Sequence, residues 1–184
     1  MKEKRIVVGY LEENCYILEK NGKCLIIDPG DDFFLIDKEL GGLVLEAILI
    51  THGHFDHVGA VDELVDKYGV KVFDRGNLSE GINALGEFSF EVIYNPGHSS
   101  DSISFYFPSE NAIFVGDFIF HRSVGRWDLE TGDYSSMKKS IIKFIDRFES
   151  NPNLKIYPGH GDTTTYSKEK LCNPFFGNYE DDGK

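Results

Sequence analysis

The chain has 184 residues, 41% apolar and 14% aromatic, which excludes a disordered or low-complexity protein and provides for a sizeable core. Asp and Glu outnumber Lys and Arg by 31 to 19, for a formal charge of −12 and a pI near 4.9. A nucleic-acid groove or an anionic membrane surface needs a basic face, so this balance argues against both as partners.

Residues 5–8, 15–18 and 23–28 are predicted strands, the last two joined by a turn at Asn21-Gly22. Apolar residues at 33, 34, 36 and 40, followed by Gly41-Gly42, predict a short helix over 31–40. A buried strand is expected at 44–50. A helix over 57–68 follows, with Val58, Val61, Leu64, Val65 and Tyr68 on one stripe and Gly69 as its stop. Strands are predicted at 70–73 and 88–94, then a hairpin of 102–107 with 112–115 around residues 108–111. The longest helical pattern, 134–148, carries Met137, Ile141, Ile142, Phe144, Ile145 and Phe148. A last strand at 154–157 and a short helix near 167–171 lead into a frayed polar tail at 179–184. With no repeat and no linker-like stretch, one mixed α/β domain over residues 1–184 is expected.

The N-terminal ten residues contain only Ile6-Val7-Val8 as an apolar run, too short for a signal-peptide core. No stretch approaches the roughly 18 apolar residues of a membrane span. Cys15, Cys24 and Cys172 show no CxxC spacing and read as reduced thiols, which fits a cytoplasmic protein. A Cys15–Cys24 disulfide is the alternative if their strands pair.

Four segments repeat one design: an apolar strand, then glycine or Pro-Gly, then a residue able to bind a metal. Residues 47–51 lead into His52-Gly53-His54-Phe55-Asp56-His57, and 92–94 into Pro96-Gly97-His98. Residues 113–115 lead into Gly116-Asp117, and 156–157 into Pro158-Gly159-His160-Gly161. Glycine lets the backbone turn off a strand end and approach an ion without a Cβ in the way. Five of the six histidines fall in these segments. In an extended stretch His52 and His54 project to one side, while Asp56 and His57 lie past the bend and can reach a second ion. HxHxDH within six residues is rare by chance, and with His98, Asp117 and His160 it forms a candidate metal site. A buried polar network without metal would need five imidazoles satisfied by other partners, of which the sequence offers few.

These motifs resemble the metallo-β-lactamase superfamily, and within it glyoxalase II-like hydrolases of the short type that lacks the C-terminal helical domain. The resemblance runs through NCYIL at 14–18, IIDPG at 26–30, THGHFDH at 51–57, NPGH at 95–98, GDFIF at 116–120, SVGRWDL at 123–129, YPGHG at 157–161 and NPFF at 173–176. It implies a four-layer αββα sandwich of two mixed β-sheets flanked by helices. It further implies that His52, His54 and His98 hold one ion, that Asp56, His57 and His160 hold a second, and that Asp117 bridges them. Zinc is the metal implied, with iron or manganese as alternatives. Asp56 and Asp117 would then be catalytic, a metal-bridging hydroxide attacking the thioester of an acylated small thiol such as S-lactoylglutathione. Zinc β-lactamases usually have Cys where this chain has Asp117, which argues against antibiotic hydrolysis. Persulfide dioxygenases, with a single iron on residues matching His52, His98 and Asp117, are the rival reading. Lactonase or phosphodiesterase activity comes next.

Asp28 matches a strand-end Asp that supports the ligands from behind, or it is a turn-former before Pro29-Gly30. Arg126 falls where the family places a basic residue beside the metals and is expected to pair with a carboxylate of an anionic small-molecule substrate, unless it is a plain loop arginine. Relatives often read GRTD where this chain has Gly125-Arg126-Trp127-Asp128, so Trp127 either reshapes the pocket wall as a substrate contact or packs underneath. Phe33, Phe34, Phe175, Phe176 and Tyr179 are candidates for the mouth or for the core. His121, outside the motifs, is expected on an exposed loop. Oligomeric state is not readable from the sequence.

Overall fold

The computed structural model describes residues 1–177, and Tyr179 with the tail at 179–184 lies outside them. The first sheet contains β1 (Lys2–Val8), β2 (Glu13–Lys20) and β3 (Lys23–Ile27), then after helix α1 (Phe33–Leu40) strand β4 (Val44–Leu49). Helices α2 (Phe55–Val58) and α3 (Val61–Tyr68) precede its last strand, β5 (Lys71–Phe73), and the strands lie in the order β1-β2-β3-β4-β5. The second sheet begins with β6 (Gly81–Leu85), β7 (Phe88–Tyr94), β8 (Ile103–Phe107) and β9 (Ala112–Gly116). A small hairpin of β10 (Ile119–Phe120) and β11 (Ser123–Val124) precedes α4 (Tyr134–Phe148). The chain then adds β12 (Lys155–Pro158), β13 (Thr164–Thr165) and α5 (Tyr166–Cys172), and the second sheet has the order β13-β12-β9-β8-β7-β6. Both sheets are mixed: β3, β4 and β5 pair in parallel, as do β9 and β12, and the remaining neighbours are antiparallel.

Strand alternation builds the layers. Leu25 and Ile27 of β3 face inward and meet Phe90, Phe105 and Phe114 of the other sheet in the central core. Cys24 and Ile26 face outward, where Ile36, Leu40 and Leu64 of α1 and α3 cover them. On the far side Ile113 and Val115 of β9 lie under Met137, Ile141, Phe144 and Phe148 of α4. Helix–sheet–sheet–helix is thus the αββα sandwich that the resemblance implies. Asp133 caps α4 by accepting from the Ser136 N–H at 2.7 Å. The Asn21-Gly22 turn forms as predicted, both residues at positive φ (53° and 79°), the conformation that suits the twist of a tight hairpin.

The structure departs from the predicted elements in specific places. The helix over 57–68 is two pieces, because the Ala60 N–H bonds to the Pro29 carbonyl (3.0 Å) instead of continuing the helical ladder. Its apolar stripe still packs as read, with Leu64 buried. The sequence gives no sign of β6, an edge strand whose Ile82 is 74% exposed: ladder pairing to β7 holds it, not burial. The two-residue strands β10, β11 and β13 are too short to leave a periodic signal. Cys15 pairs across from Ile6 and Cys24 from Glu19, so the disulfide alternative fails and all three thiols are free. Among the described residues, no helix is long and apolar enough to cross a membrane.

Candidate metal centre

Strand direction brings the four segments together. β7 and β9 are both antiparallel to β8, and β12 is parallel to β9, so all three run the same way and end at one edge. His98, Asp117 and His160 follow those three ends. β3 and β4 run in parallel in the facing sheet and deliver Asp28 and residues 52–57 to the same edge. Glycine is required at two of these ends. A Cβ on Gly116 (φ +51°) would lie 2.2 Å from the Thr51 hydroxyl, and one on Gly159 would lie 2.4 Å from Asp117 Oδ1.

The site residues converge, each to within 3.6 Å of another. His54 Nδ1 stands 3.0 Å from His52 Nε2 and 2.9 Å from His98 Nε2. Asp117 Oδ1 stands 3.3 Å from His57 Nε2 and 3.6 Å from His160 Nε2, and its Oδ2 lies 3.5 Å from His98 Nε2. Asp56 Oδ2 is 3.2 Å from His160 Nε2. All seven residues that the motifs singled out therefore lie in one constellation. It contains three subgroups able to hold an ion: His52, His54 and His98; His52, His57 and Asp117; and Asp56, His57 and His160.

Hydrogen-bond bookkeeping fixes where the lone pairs point. The Thr51 hydroxyl donates to Asp28 Oδ2 (2.6 Å), so toward His52 Nδ1 (3.1 Å) it can only accept. His52 Nδ1 therefore carries the hydrogen and its Nε2 is bare. His57 Nδ1 donates to Asp28 (3.0 Å), His98 Nδ1 to the Arg126 carbonyl (2.7 Å) and His160 Nδ1 to the Leu11 carbonyl (3.1 Å). Each of these four rings thus turns Nε2 toward the centre. Burial holds His52 well below, and His98 below, the usual imidazole range, so both are neutral donors. His57 Nε2 and Asp117 Oδ1 are buried with no hydrogen-bond partner. Burial opposes a charge on His57, yet the adjacent Asp117 and Asp28 carboxylates raise it well above the ordinary value. Asp117 shows the converse, its carboxyl held far down by His57 despite burial. Converging lone pairs and carboxylates with too few protons between them fit divalent cations.

The shell behind these residues was only partly legible. Asp28 does more than turn the chain: it is 1% exposed and its carboxylate also accepts the Thr51 N–H at 2.7 Å, tying β3 to β4 and both to His57. Asn14, of the NCYIL motif, clamps the turn that carries His160. Its side-chain amide donates to the Pro158 and Gly161 carbonyls (3.0 and 2.9 Å), and the Tyr16 hydroxyl donates to Pro158 (2.6 Å). Glu13 was missed altogether. It is buried, its Oε1 lies 3.8 Å from His57 Nδ1, neither oxygen has a hydrogen-bond partner, and burial pushes its carboxyl well above the usual range.

A cavity of about 680 Å³ opens over the centre, and Arg126 lines it with His54, His98 and Asp117. The Arg126 guanidinium is exposed and engages Asp128 through both oxygens (2.7 and 2.9 Å). Trp127 does not line this cavity. It packs against Tyr134 and Phe175 (5.0 and 5.9 Å between ring centroids), underneath the loop. Phe33 and Phe34 sit on α1, and Phe175 and Phe176 join the core below α4, so none of the four reaches the mouth. His121 is on an exposed turn, as expected.

A family model described as "Metallo-beta-lactamase superfamily" matches residues 8–77 and 74–160. The chain is 31% identical to the probable metallo-hydrolase YqgX of Bacillus subtilis, over 97% of this chain and 99% of that protein. It is 32% identical to the hydroxyacylglutathione hydrolase GloC of Haemophilus influenzae, over 92% and 95%. Among solved structures it is similar to the BLEG-1 B3 metallo-beta-lactamase, with a TM-score of 0.90 and 31% identity over 96% of this chain and all of that one. TTHA1623 in a di-iron-bound form follows at 0.83 and 33% over 94% and 99%, and ETHE1 from Myxococcus xanthus at 0.83 and 25% over 95% and 84%.

Proposed function

The chain belongs to the metallo-β-lactamase superfamily, and we propose that it is a dinuclear metal hydrolase that cleaves the thioester of an acylated small thiol. The observation that carries this reading is the inward convergence of five imidazole nitrogens with Asp56 and Asp117. His52, His54 and His98 would hold one ion and Asp56, His57 and His160 the other, with Asp117 shared between the two groups. Two divalent ions, zinc first and iron or manganese second, supply acidified water and a Lewis acid for the carbonyl. The protein groups do the rest. Asp28 keeps His57 in one tautomer, Asn14 fixes the His160 turn, and Arg126 offers its guanidinium to a substrate carboxylate in exchange for Asp128. A leaving thiolate has a conjugate-acid pKa of roughly 8.5, so its departure makes little demand on a general acid. Likeness to GloC along nearly the whole of both chains supports a thioester. Free, buried Cys15 and Cys24 accord with a reducing cytoplasm, and the net charge of −12 accords with a small-molecule substrate rather than nucleic acid or an anionic membrane.

The test is a substrate panel on the metal-reconstituted chain: S-lactoylglutathione and other small-thiol thioesters, a β-lactam, a homoserine lactone, a phosphodiester, and glutathione persulfide with oxygen uptake recorded. A thioester is expected to lead, with kcat/KM of about 10⁴ M⁻¹s⁻¹ or above. Preferred cleavage of the β-lactam, lactone or phosphodiester, or oxygen uptake on the persulfide, would overturn the assignment.

A further inference from the structure

A second cavity, of about 300 Å³, adjoins the one over the metal centre, and Leu11, Phe55 and Asp56 line both. Val8, Tyr10 and Asp31 complete its character. Two features of this lip call for an occupant. Tyr10 and Phe55 are large rings left 79% and 63% exposed, stacked on each other at 6.4 Å and 20°, beside Leu11 at 43%. Apolar side chains gathered in water at the edge of a polar cleft mark a binding surface more often than chance exposure. The loop that bears Tyr10 and Leu11 is also tied to the centre, since His160 Nδ1 donates to the Leu11 carbonyl.

The two cavities differ in what they can accept. Arg126, beside His98 in the larger one, suits an anion. No lysine, arginine or histidine lines the smaller one, whose charged groups are Asp31 and Asp56. A substrate whose reacting carbonyl sits at the metal centre, beside the Asp56 that lines both cavities, sends one arm each way. Resting on the thioester reading above, we propose that the thiol arm with its carboxylate lies toward Arg126 and that the Tyr10–Leu11–Phe55 cavity binds the acyl arm. The chain is thereby a hydrolase for thioesters of apolar, medium-length acyl groups in preference to short hydroxyacyl ones.

The test is a series of N-acetylcysteamine thioesters on the metal-loaded chain: acetyl, butanoyl, hexanoyl, 5-carboxypentanoyl and 6-aminohexanoyl. Burial of each added methylene is expected to raise kcat/KM about fourfold up to six carbons. A terminal carboxylate, brought against Asp31, removes at least about tenfold of that gain. Tyr10→Ala and Phe55→Ala each reduce the hexanoyl-to-acetyl ratio by about tenfold. A non-hydrolysable S-hexyl thioether must shift the Tyr10 and Phe55 ring signals in NMR spectra, a readout independent of turnover. Cleavage with no chain-length preference, or shifts confined to the Arg126 loop, overturns the acyl assignment alone. Faster cleavage of the 6-aminohexanoyl ester than of the hexanoyl ester overturns it in favour of a cationic arm. No cleavage of any member, with S-lactoylglutathione also inert, overturns the thioester reading as well.

Discussion

Asp117→Ala lowers thioester turnover by about 10³-fold or more and leaves the protein poor in metal. The carboxylate touches both halves of the centre, His57 and His160 through one oxygen and His98 through the other. Alanine leaves the lone pairs of His57 and His160 facing one another with no anion between them, so the second ion is lost first. Loss of fold is a poor alternative explanation, because Asp117 is a polar group at the cavity wall and not a packing element of the three apolar cores. Asp117→Asn keeps the shape without the charge and is expected to fall between wild type and alanine. kcat, metal content and the far-UV CD spectrum are the measurements, and full activity in the alanine variant would sink the scheme.

Asp28→Asn weakens metal binding by about 10–100-fold without removing a ligand. The wild-type carboxylate accepts from the Thr51 N–H, the Thr51 hydroxyl and His57 Nδ1. An amide NH₂ in that place meets donors. His57 then loses the bond that fixes its tautomer, and the Thr51 hydroxyl, freed from Asp28, no longer dictates which nitrogen of His52 carries the hydrogen. The same mismatch is buried, so the variant is also destabilised by about 1–3 kcal/mol. Competition against a chelating dye reads the affinity and urea unfolding reads the stability. An affinity equal to wild type would show that Asp28 merely shapes the turn.

What could be read from the sequence had local causes. Short apolar runs with glycine stops mark the main strands, and each metal-binding segment follows a strand end with glycine beside it, while the layer order was implied by the motif resemblance. What could not be read depends on distant pairings. Asn14 holds carbonyls more than 140 residues away, and nothing near position 14 announces them. Glu13 looks like any strand-edge acid until β2 is seen to run under the His160 turn. The break between α2 and α3 comes from the Pro29 carbonyl, outside the helical pattern itself. Trp127 and Arg126 are neighbours in sequence with opposite fates, one packed below the loop and one at the cavity, because Tyr134 and Phe175 offer a face to the indole. The formal charge of −12 argues against polyanionic partners for the surface as a whole but does not describe the mouth. There Arg126 and two bound cations would make a site for a small anion.

Elemental analysis of the protein, expressed in metal-supplemented medium and purified without chelator, tests the central claim most directly. About two divalent ions per chain in the wild type are expected, with thioesterase activity that disappears on chelation and returns with metal. A chain that binds no metal, or that hydrolyses thioesters equally well after complete chelation, would contradict the assignment of these seven residues.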